Sequence, residues 1–523
     1  MGKRERLVTV CCVLVLTFFY VFMVFYRSSS QALMHHDEGS YAVQARKVVE
    51  GGMTLKGIDP YCNQPIYPLV ISVLFKLFGI RDFWVRFPAM VGGYLILCLI
   101  FFWGCRLSSV RCGLLSALVL CVNPFFIFYC RSGLTETVFS FFLIGALFFL
   151  WSGLYLVEKR FFHFVLGGAL GALAIHVKWN GFLALLFTCC YLALCFVYDA
   201  VKNRIRMEGS WKESLKRVLS GYGSLFWGLF AAGLIMMILL VPWIQYLRLT
   251  CGFRNVLRKF SENVIDFRIV IRRIPHSILL YLGLVLLWAK ALLVTSAFGM
   301  ARLLVKRRRE RLFFLFWILF FFAFLIRYSP YPRLFFPILV SLSLPAGLFL
   351  DRCIERLDLR FRWTGFCAVS ILFLLLGFLG IMPHVQGKLD GYREAAGFIK
   401  AREDIGVKCL SRMRENFYFY LPQALRIGKN PQTRALIEKG DFYILTDISR
   451  LDSPVLKDFM QKNEKRIILF KRFDFDLFEP FLFQPFYYEN LKYFFPRKNI
   501  PIENHSIMLY YVKDACILPE SWK

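Results

Sequence analysis

The chain has 523 residues and is 58% hydrophobic, which is more apolar than an ordinary soluble protein, where about half of the residues are apolar. Its 65 Lys and Arg against 35 Asp and Glu give a net charge of +30, but the basic residues collect between apolar stretches, as membrane topology requires. A nucleic-acid partner is therefore not inferred. The 16 cysteines lie mostly inside apolar stretches, which excludes a disulfide framework or a cysteine zinc site as the organising feature. We predict a polytopic α-helical membrane protein.

The first predicted element is a membrane span over residues 7–26, about the twenty apolar residues that a helix needs to cross a bilayer. Lys3, Arg4 and Arg6 precede this span, and the positive-inside rule places them in the cytoplasm. The loop after the span, with the sequence His-His-Asp-Glu at 35–38, is therefore predicted to face the outer side.

The adjacent carboxylates Asp37 and Glu38 open a predicted amphipathic helix that Gly51 and Gly52 end. In one interpretation Asp37 caps the helix and Glu38 interacts favourably with its dipole. In the other, the pair carries chemistry, because charge at a membrane surface must be solvated, paired or used. The predicted apolar face consists of Tyr41, Ala42, Ala45, Val48 and Val49, and the polar face of Gln44, Arg46, Lys47 and Glu50.

The apolar stretch at 66–78 is too short to span comfortably and is predicted to be a helix lying in or on the interface. Further spans follow, which makes about eleven in all and places the C-terminus outside. These spans are predicted over residues 83–104, 112–129, 135–157, 161–176, 181–198, 221–246, 277–298, 312–326, 334–350 and 363–382.

The charged loops test this topology. Basic residues are dense at 202–217, 306–309 and 352–362, which are all predicted cytoplasmic loops. The loop at 247–276 is predicted outside and is nevertheless basic. Either the count of spans is off, or these charges meet an anionic head group.

Composition changes at about residue 387, which predicts two domains: a transmembrane domain over 1–386 and an outer α/β domain over 387–523. The aromatic stretch at 473–495 has no regular period and receives no assignment. In the outer domain we predict helices at 391–402 and 454–461 and strands at 407–410, 442–446, 466–470 and 507–512.

Several outer turns contribute charged residues. Arg131 and Glu136 lie between the third and fourth spans, Lys178 between the fifth and sixth, and Arg333 between the ninth and tenth. Each has a structural interpretation: Glu136 suits the first turn of a helix, Lys178 can snorkel, and Arg333 can anchor the interface. Their coincidence on one side of the membrane favours function, because ionisable groups in apolar segments are functional candidates.

A divalent metal ion is a further possibility, with His36, Asp37 and Glu136 as the candidate ligands. However, His35 and His36 fit helix-entry positions better than a metal site. The sequence contains no GxGxxG, Walker A or HExxH motif, so neither an ATP-driven pump nor a zincin is indicated.

Short motifs follow one another in a fixed order: DEGSYA at 37–42, NQPIYP at 63–68, FKLFG at 75–79, RFP at 86–88, Arg131 with LTET at 134–137, and RLFFP at 333–337. Together they resemble the bacterial GT-C membrane glycosyltransferases, in the branch related to protein O-mannosyltransferases and aminoarabinose lipid A transferases. The resemblance runs over about the first 385 residues. The segment beginning at Gly391 is similar to the outer domain of many bacterial members.

The resemblance implies a sugar donor linked through phosphate to a polyprenol and used on the periplasmic face of the inner membrane. It also implies an essential role for Asp37 and a role for Glu136. The aminoarabinose branch has an acidic-Lys-Pro-Pro sequence where this chain has Asn-Gln-Pro-Ile at 63–66, which makes aminoarabinose a less favoured sugar. The phosphate role then falls to Lys178, Arg131 or Arg333.

The resulting hypothesis makes Asp37 the general base, with Glu38 beside it as a further catalytic candidate, and Glu136 a second carboxylate that orients the acceptor or a metal. Lys178 and Arg333 would hold the phosphate, and the sugar would be displaced with inversion. The acceptor would be lipopolysaccharide, another glycolipid or a protein hydroxyl, and membrane lipids would surround the spans. The alternatives are a lipid-linked glycan transporter, for which internal repeats and broken helices are expected, and a non-catalytic partner in envelope assembly.

Overall fold

The structure is a computed structural model in two compact units. The membrane unit comprises residues 1–24, 59–67 and 88–382, and the sheet unit comprises residues 25–58, 68–87 and 383–523. The residues that the structure describes are 3–33, 36–58, 64–156, 158–207, 211–250, 252, 290–306, 309–325, 332–358, 361–386, 391–406, 408–412, 415–426, 435–436, 441–447, 454–476 and 504–513.

Helices account for most of the described chain. In chain order they are α1 Lys3–Phe25, α2 His36–Glu50, α3 Ile66–Phe78, α4 Asp82–Leu107, α5 Val110–Cys121, α6 Pro124–Arg131, α7 Glu136–Tyr155, α8 Arg160–Val177, α9 Leu183–Met207, α10 Trp211–Thr250, α11 Lys290–Lys306, α12 Arg309–Leu325, α13 Phe336–Glu355, α14 Arg362–Gln386, α15 Gly391–Lys400, α16 Glu403–Gly406, α17 Glu415–Tyr420 and α18 Pro454–Lys462. The strands are β1 Cys409–Arg412, β2 Leu425–Arg426, β3 Phe442–Asp447, β4 Ile467–Asp476 and β5 Asn504–Val512.

Within the described ranges, eight helices are long and apolar enough to cross a membrane: α1, α4, α7, α8, α9, α10, α13 and α14. The pair α5 and α6 passes the same test as a ninth, broken span, while α11 and α12 contain shorter apolar segments. The multi-pass helical architecture is thus confirmed. The count of about eleven stays a prediction, because most of the span expected at 277–298 and of the basic loop at 247–276 lies outside the described residues.

The span predicted over 112–129 is broken in the structure, because α5 and α6 meet at an angle of 69°. Pro124 has no N–H to donate and disfavours the helical conformation in the residue before it. Asn123 accordingly has φ −81° and ψ 121°, and its side chain accepts a hydrogen bond from the N–H of Phe126 and caps α6. Apolar residues flank this dipeptide on both sides, so the average hydropathy of the segment did not reveal the break, although Asn-Pro is a turn signal.

The membrane unit packs around aromatic side chains. Trp103 of α4 and Trp317 of α12 are fully buried and stack with ring centroids 5.5 Å apart. Phe187 of α9 is also buried and meets Phe313 of α12 edge to face. Where α8 crosses α10, a Cβ at Gly168 would overlap backbone atoms of the facing helix, so only glycine permits this close approach.

The sheet unit contains a five-stranded sheet in the order β2-β1-β3-β5-β4. Strand β1 pairs in parallel with β2 and β3, and β5 pairs antiparallel with β3 and β4. The core beneath it contains Leu410, Phe442, Ile444, Phe459 and Val512. The four predicted strands and both predicted helices are therefore confirmed. The two-residue strand β2 was not predicted, and β4 extends into the start of the aromatic stretch, the rest of which lies outside the described residues.

Helix α2 lies in the sheet unit and has the predicted length, with Gly52 at φ +72° just after its end. Tyr41, Ala42, Ala45 and Val48 are buried, as predicted.

The polar face of α2 differs from prediction at Gln44. This residue is buried and donates through Nε2 to Ser40 Oγ at 3.2 Å. Helix α2 packs against both α17 and the turn Leu55–Gly57, so its buried surface is wider than a single face.

Candidate functional site

Glu136 is the first residue of α7 and is only 2% exposed. The N-terminus of a helix carries a partial positive charge, which favours a carboxylate there. Burial alone would disfavour the ionised form, so a charged Glu136 requires cationic partners.

Two cations meet Glu136. Lys178 Nζ lies 2.7 Å from Glu136 Oε1, and Arg333 Nε lies 3.7 Å from the same oxygen. The structure therefore brings together three of the residues that the sequence nominated, although they are up to 197 positions apart (333 − 136).

Local backbone structure explains where these two cations lie. Lys178 follows the end of α8, and its extended backbone at φ −157° and ψ 132° breaks the helix before α9 begins. Arg333 lies in the short 3-10 helix Pro332–Phe335 that leads into α13. Because α7 begins, α8 ends and α13 begins at the cluster, these helix termini lie at one end of the membrane unit.

The three charged groups line a small cavity of about 20 Å³ together with Ser140 and Asn180. Such a volume holds about one water molecule, so the side chains nearly fill the site. The side chains of Lys178 and Arg333 are nevertheless 25% and 24% exposed, so each can reach a ligand from solvent. The arrangement can bind a small anionic group in exchange for the carboxylate.

Sequence reasoning missed Ser140. It lies one turn after Glu136 on α7, and this i+4 spacing is the signal that could have found it. Its Oγ and that of Thr137 are buried, and neither has a hydrogen-bond partner among the described groups. Buried hydroxyls in this state are uncommon in native proteins.

Arg131, the third cation nominated for phosphate binding, has a contact that the sequence did not indicate. It is buried, and its Nη1 donates to the carbonyl oxygens of Met23 at 2.5 Å and Val24 at 3.0 Å. These carbonyls belong to the last turn of α1, whose C-terminal acceptors have no intrahelical partners. The contact joins α6 to α1, and a phosphate role for Arg131 stays a prediction.

Asp37 and Glu38 lie in the first turn of α2, in the sheet unit. Asp37 is half-buried, whereas Glu38 is 1% exposed, with its Oε1 3.9 Å from Arg86 Nε. Arg86 also donates through Nη1 to the carbonyl oxygens of Ser28 at 3.0 Å and Gln31 at 2.7 Å. Glu38 therefore has a structural partner, and Asp37 is the more accessible carboxylate of the pair. The approach of Asp37 to Glu136 stays a prediction, as do the catalytic roles.

The divalent metal ion that the sequence left as a possibility stays a prediction, which the arrangement around Glu136 does not favour. One carboxylate oxygen already has two cationic partners, which leaves no excess negative charge for a divalent ion. In the described part of the chain, no group of three or more His, Cys, Asp or Glu side chains could hold a metal. His36 begins α2, but its side chain is not among the described ones, and His35 lies outside the described residues. We derive no step through a metal.

Comparisons with known proteins bear on the fold. Residues 60–206 match the family model described as dolichyl-phosphate-mannose-protein mannosyltransferase, a range that includes Glu136 and Lys178. Comparison with curated proteins finds no match.

Solved structures share the fold. The chain is similar to apo ArnT from Cupriavidus metallidurans, with 16% identity, a TM-score of 0.61, and coverage of 86% of this chain and 94% of that one. The same protein bound to undecaprenyl phosphate gives 15% identity, a TM-score of 0.58 and the same coverage. The archaeal oligosaccharyltransferase AglB from Archaeoglobus fulgidus, in complex with an inhibitory peptide and a dolichol-phosphate, gives 12% identity, a TM-score of 0.55, and coverage of 86% and 70%. The predicted relation to the GT-C membrane glycosyltransferases is confirmed at the level of the fold.

Proposed function

We propose that this chain is an integral membrane glycosyltransferase that transfers a sugar from a polyprenyl-phosphate donor to an acceptor on the outer face of the inner membrane. The observation that carries the proposal is the cluster in which Lys178 and Arg333 share one oxygen of the buried Glu136. Two partly exposed cations at one end of a membrane bundle suit a phosphate that is fixed to a lipid.

The cations would act on the leaving group. When the bond between the anomeric carbon and the phosphate oxygen breaks, the polyprenyl phosphate gains negative charge, and fixed cations stabilise that charge as it develops. Without donor, Glu136 keeps Lys178 and Arg333 in place by balancing their charge. On binding, the phosphate oxygens would take over part of this role, which pre-orients the cations for the reaction.

Asp37 would serve as the general base. The acceptor oxygen or nitrogen attacks the anomeric carbon, its proton passes to the Asp37 carboxylate, and the polyprenyl phosphate leaves with the bonding electrons. A single displacement inverts the configuration at the anomeric carbon. Glu38 would be a positioning residue, because its contact with the buried Arg86 fixes the first turn of α2, from which Asp37 projects.

The comparisons support the donor class. The ArnT and AglB structures are of proteins that share this fold and bind undecaprenyl phosphate and a dolichol-phosphate, respectively. The matching family model is named for a dolichyl-phosphate-linked mannose. For this chain, we propose the same kind of donor and an acceptor hydroxyl or amine on a periplasmic glycolipid or protein.

The test uses the purified full-length chain in nanodiscs, supplied with a polyprenyl-phosphate sugar and an envelope glycolipid extract. Product is followed by mass spectrometry, and donor binding is measured separately. We expect Asp37→Asn and Glu136→Gln each to lower the transfer rate at least about 100-fold, the loss typical of a general base or an electrostatic group. The matched control is Glu355→Gln, which changes a carboxylate paired with Arg111 and Arg352 at the far end of α13 and should leave the rate unchanged.

Two outcomes would contradict the proposal. Equal rates for the wild type and both variants would mean that the reacting groups lie elsewhere. Absence of transfer in the wild type, with movement of labelled lipid-linked sugar between the leaflets of a vesicle, would establish a transporter. The broken span at Asn123 and Pro124 is the feature that favours this second function, since transporters use discontinuous helices at their sites. However, the side chain of Asn123 already caps α6.

A further inference from the structure

The sheet unit contains a second, larger cavity of about 700 Å³. It lies among α2, α15, α17 and the turn between α3 and α4, all within this unit. Its wall includes Arg46, Arg81, Asp82, Trp84, Arg393 and Tyr420. Cationic and aromatic side chains therefore dominate its polar lining, and nothing in the proposed reaction uses them.

The wall of this cavity carries more positive than negative charge. The carboxylate of Asp82 already accepts hydrogen bonds from Nη2 of Arg393 and from the hydroxyl of Tyr420, the latter at 3.0 Å. Arg46 pairs through Nε with Glu50 at 2.7 Å. Arg81 is exposed, and no ion pair of Arg81 is found in the described part of the chain. The cavity is therefore electropositive, with Arg81 available at its mouth.

The wall also contains the aromatic side chain of Trp84. The indole Nε1 of Trp84 is buried, and no described group accepts its hydrogen. Its ring stacks on Phe78 with centroids 4.6 Å apart and meets Phe87 edge to face, so the indole is held in place. Trp84 therefore gives the cavity a fixed aromatic wall.

An apolar strip leads to the same wall. Helix α3 exposes Val70, Val73 and Leu77 on the side opposite its buried residue Phe75, and Phe78 at its C-terminal end; these four side chains are 41–66% exposed. A short helix with one apolar exposed side lies in the membrane interface with that side in the acyl chains. Since Phe78 stacks on Trp84, the strip ends at the cavity.

We propose that this cavity binds the phosphate of a net anionic head group, on a membrane lipid whose acyl chains lie over the exposed side of α3. Guanidinium groups suit phosphate because their N–H donors match its oxygens in pairs. The adjoining apolar strip favours a lipid over a soluble phosphate. This site is distinct from the Glu136 cluster and does not depend on the proposed transferase function.

The test titrates the purified full-length chain with phosphatidylglycerol, with phosphatidylcholine, and with glycerol phosphate as the head group lacking acyl chains, and detects bound lipid by native mass spectrometry. We expect phosphatidylglycerol to bind most tightly. Arg81→Gln should weaken its binding about fivefold, and Trp84→Phe, which replaces the indole by a smaller ring and opens the aromatic wall, about threefold. Leu77→Ser should weaken phosphatidylglycerol binding but not glycerol phosphate binding. Thermal unfolding of each variant confirms that the fold is kept.

The matched control is Arg402→Gln. Arg402 is a half-exposed arginine of the same unit that pairs with Asp404 and does not line the cavity. Equal loss in Arg402→Gln and Arg81→Gln would overturn the proposal in favour of unspecific surface attraction. Equal binding of the two phospholipids would exclude recognition of an anionic head group, and equal binding of glycerol phosphate and phosphatidylglycerol would exclude the lipid.

Discussion

A buried carboxylate lies near each end of helix α13: Glu136, which belongs to α7, lies near its start, and Asp351 of α13 itself lies near its end. The partners of these two carboxylates differ. At the start of α13, Arg333 meets Glu136. Near its end, Asp351 is completely buried: its Oδ2 accepts hydrogen bonds from Ser109 Oγ at 2.7 Å and Ser108 Oγ at 3.3 Å, and its Oδ1 accepts one from Arg111 Nε at 3.2 Å.

The difference lies in the partners. Two of the donors to Asp351 are short hydroxyls in the turn between α4 and α5, and they occupy one carboxylate oxygen while Arg111 occupies the other. Glu136 instead shares one oxygen between two long side chains that line a cavity and are a quarter exposed. A carboxylate held by short donors joins helices, whereas the long, partly exposed side chains that hold Glu136 remain within reach of a ligand.

The largest expected effect follows from removing the nearer cation. Lys178→Met should lower the transfer rate about 100- to 1,000-fold, as loss of one preorganised donor does elsewhere. Lys178→Arg should restore part of the rate, because the charge is kept in a different geometry. Initial rates at saturating acceptor would show this. An unchanged rate in Lys178→Met would mean that the cluster at Glu136 is structural, like the one at Asp351, and would contradict the proposed role of Lys178.

The other end of α13 should respond in stability and not in rate. Asp351→Ala leaves Arg111 without its main partner and should lower the free energy of unfolding by about 3 kcal/mol. Transfer per folded molecule should stay at the wild-type value. Denaturant titration in detergent measures the first quantity, and Arg352→Gln, in a partly exposed pair with Glu355, is the control, with a loss below about 1 kcal/mol. A folded Asp351→Ala protein without activity would assign a functional role to this end as well.

The smallest effect is expected at Thr137. Its buried hydroxyl has no partner among the described groups, so Thr137→Val removes an unsatisfied polar atom and keeps the shape. We expect a change in the free energy of unfolding between about 0 and +1 kcal/mol, stabilising in sign. Thermal melts of the two proteins would reveal it. A clear loss of stability would mean that the hydroxyl has a partner in the folded chain.

The sequence was sufficient to nominate site residues where an ionisable residue lay in otherwise apolar surroundings. Glu136 and Lys178 are ionisable residues next to long apolar stretches, and membrane topology alone placed them on one side. The strands of the sheet unit could be predicted for a similar reason, since short apolar runs such as 442–446 alternate with polar segments.

Long-range pairing could not be predicted in the same way. The contact of Glu38 with Arg86 joins positions 48 apart (86 − 38) that share no periodic pattern, so the RFP motif gave no sign of its structural role. Likewise, Ser140 looks like any small polar residue in a membrane helix until its distance from Glu136 along α7 is considered.

The bond between Arg131 and the end of α1 has a further consequence. Only 17% of the most apolar window of α1 is buried inside the protein, so packing holds this helix weakly. Without α1, the Arg131 guanidinium would lose the carbonyl acceptors of Met23 and Val24, and a hydrogen bond to a charged group contributes about 1.5–3 kcal/mol. The polar contact with Arg131 therefore ties the end of the first helix to α6, independently of the packing of its apolar side chains.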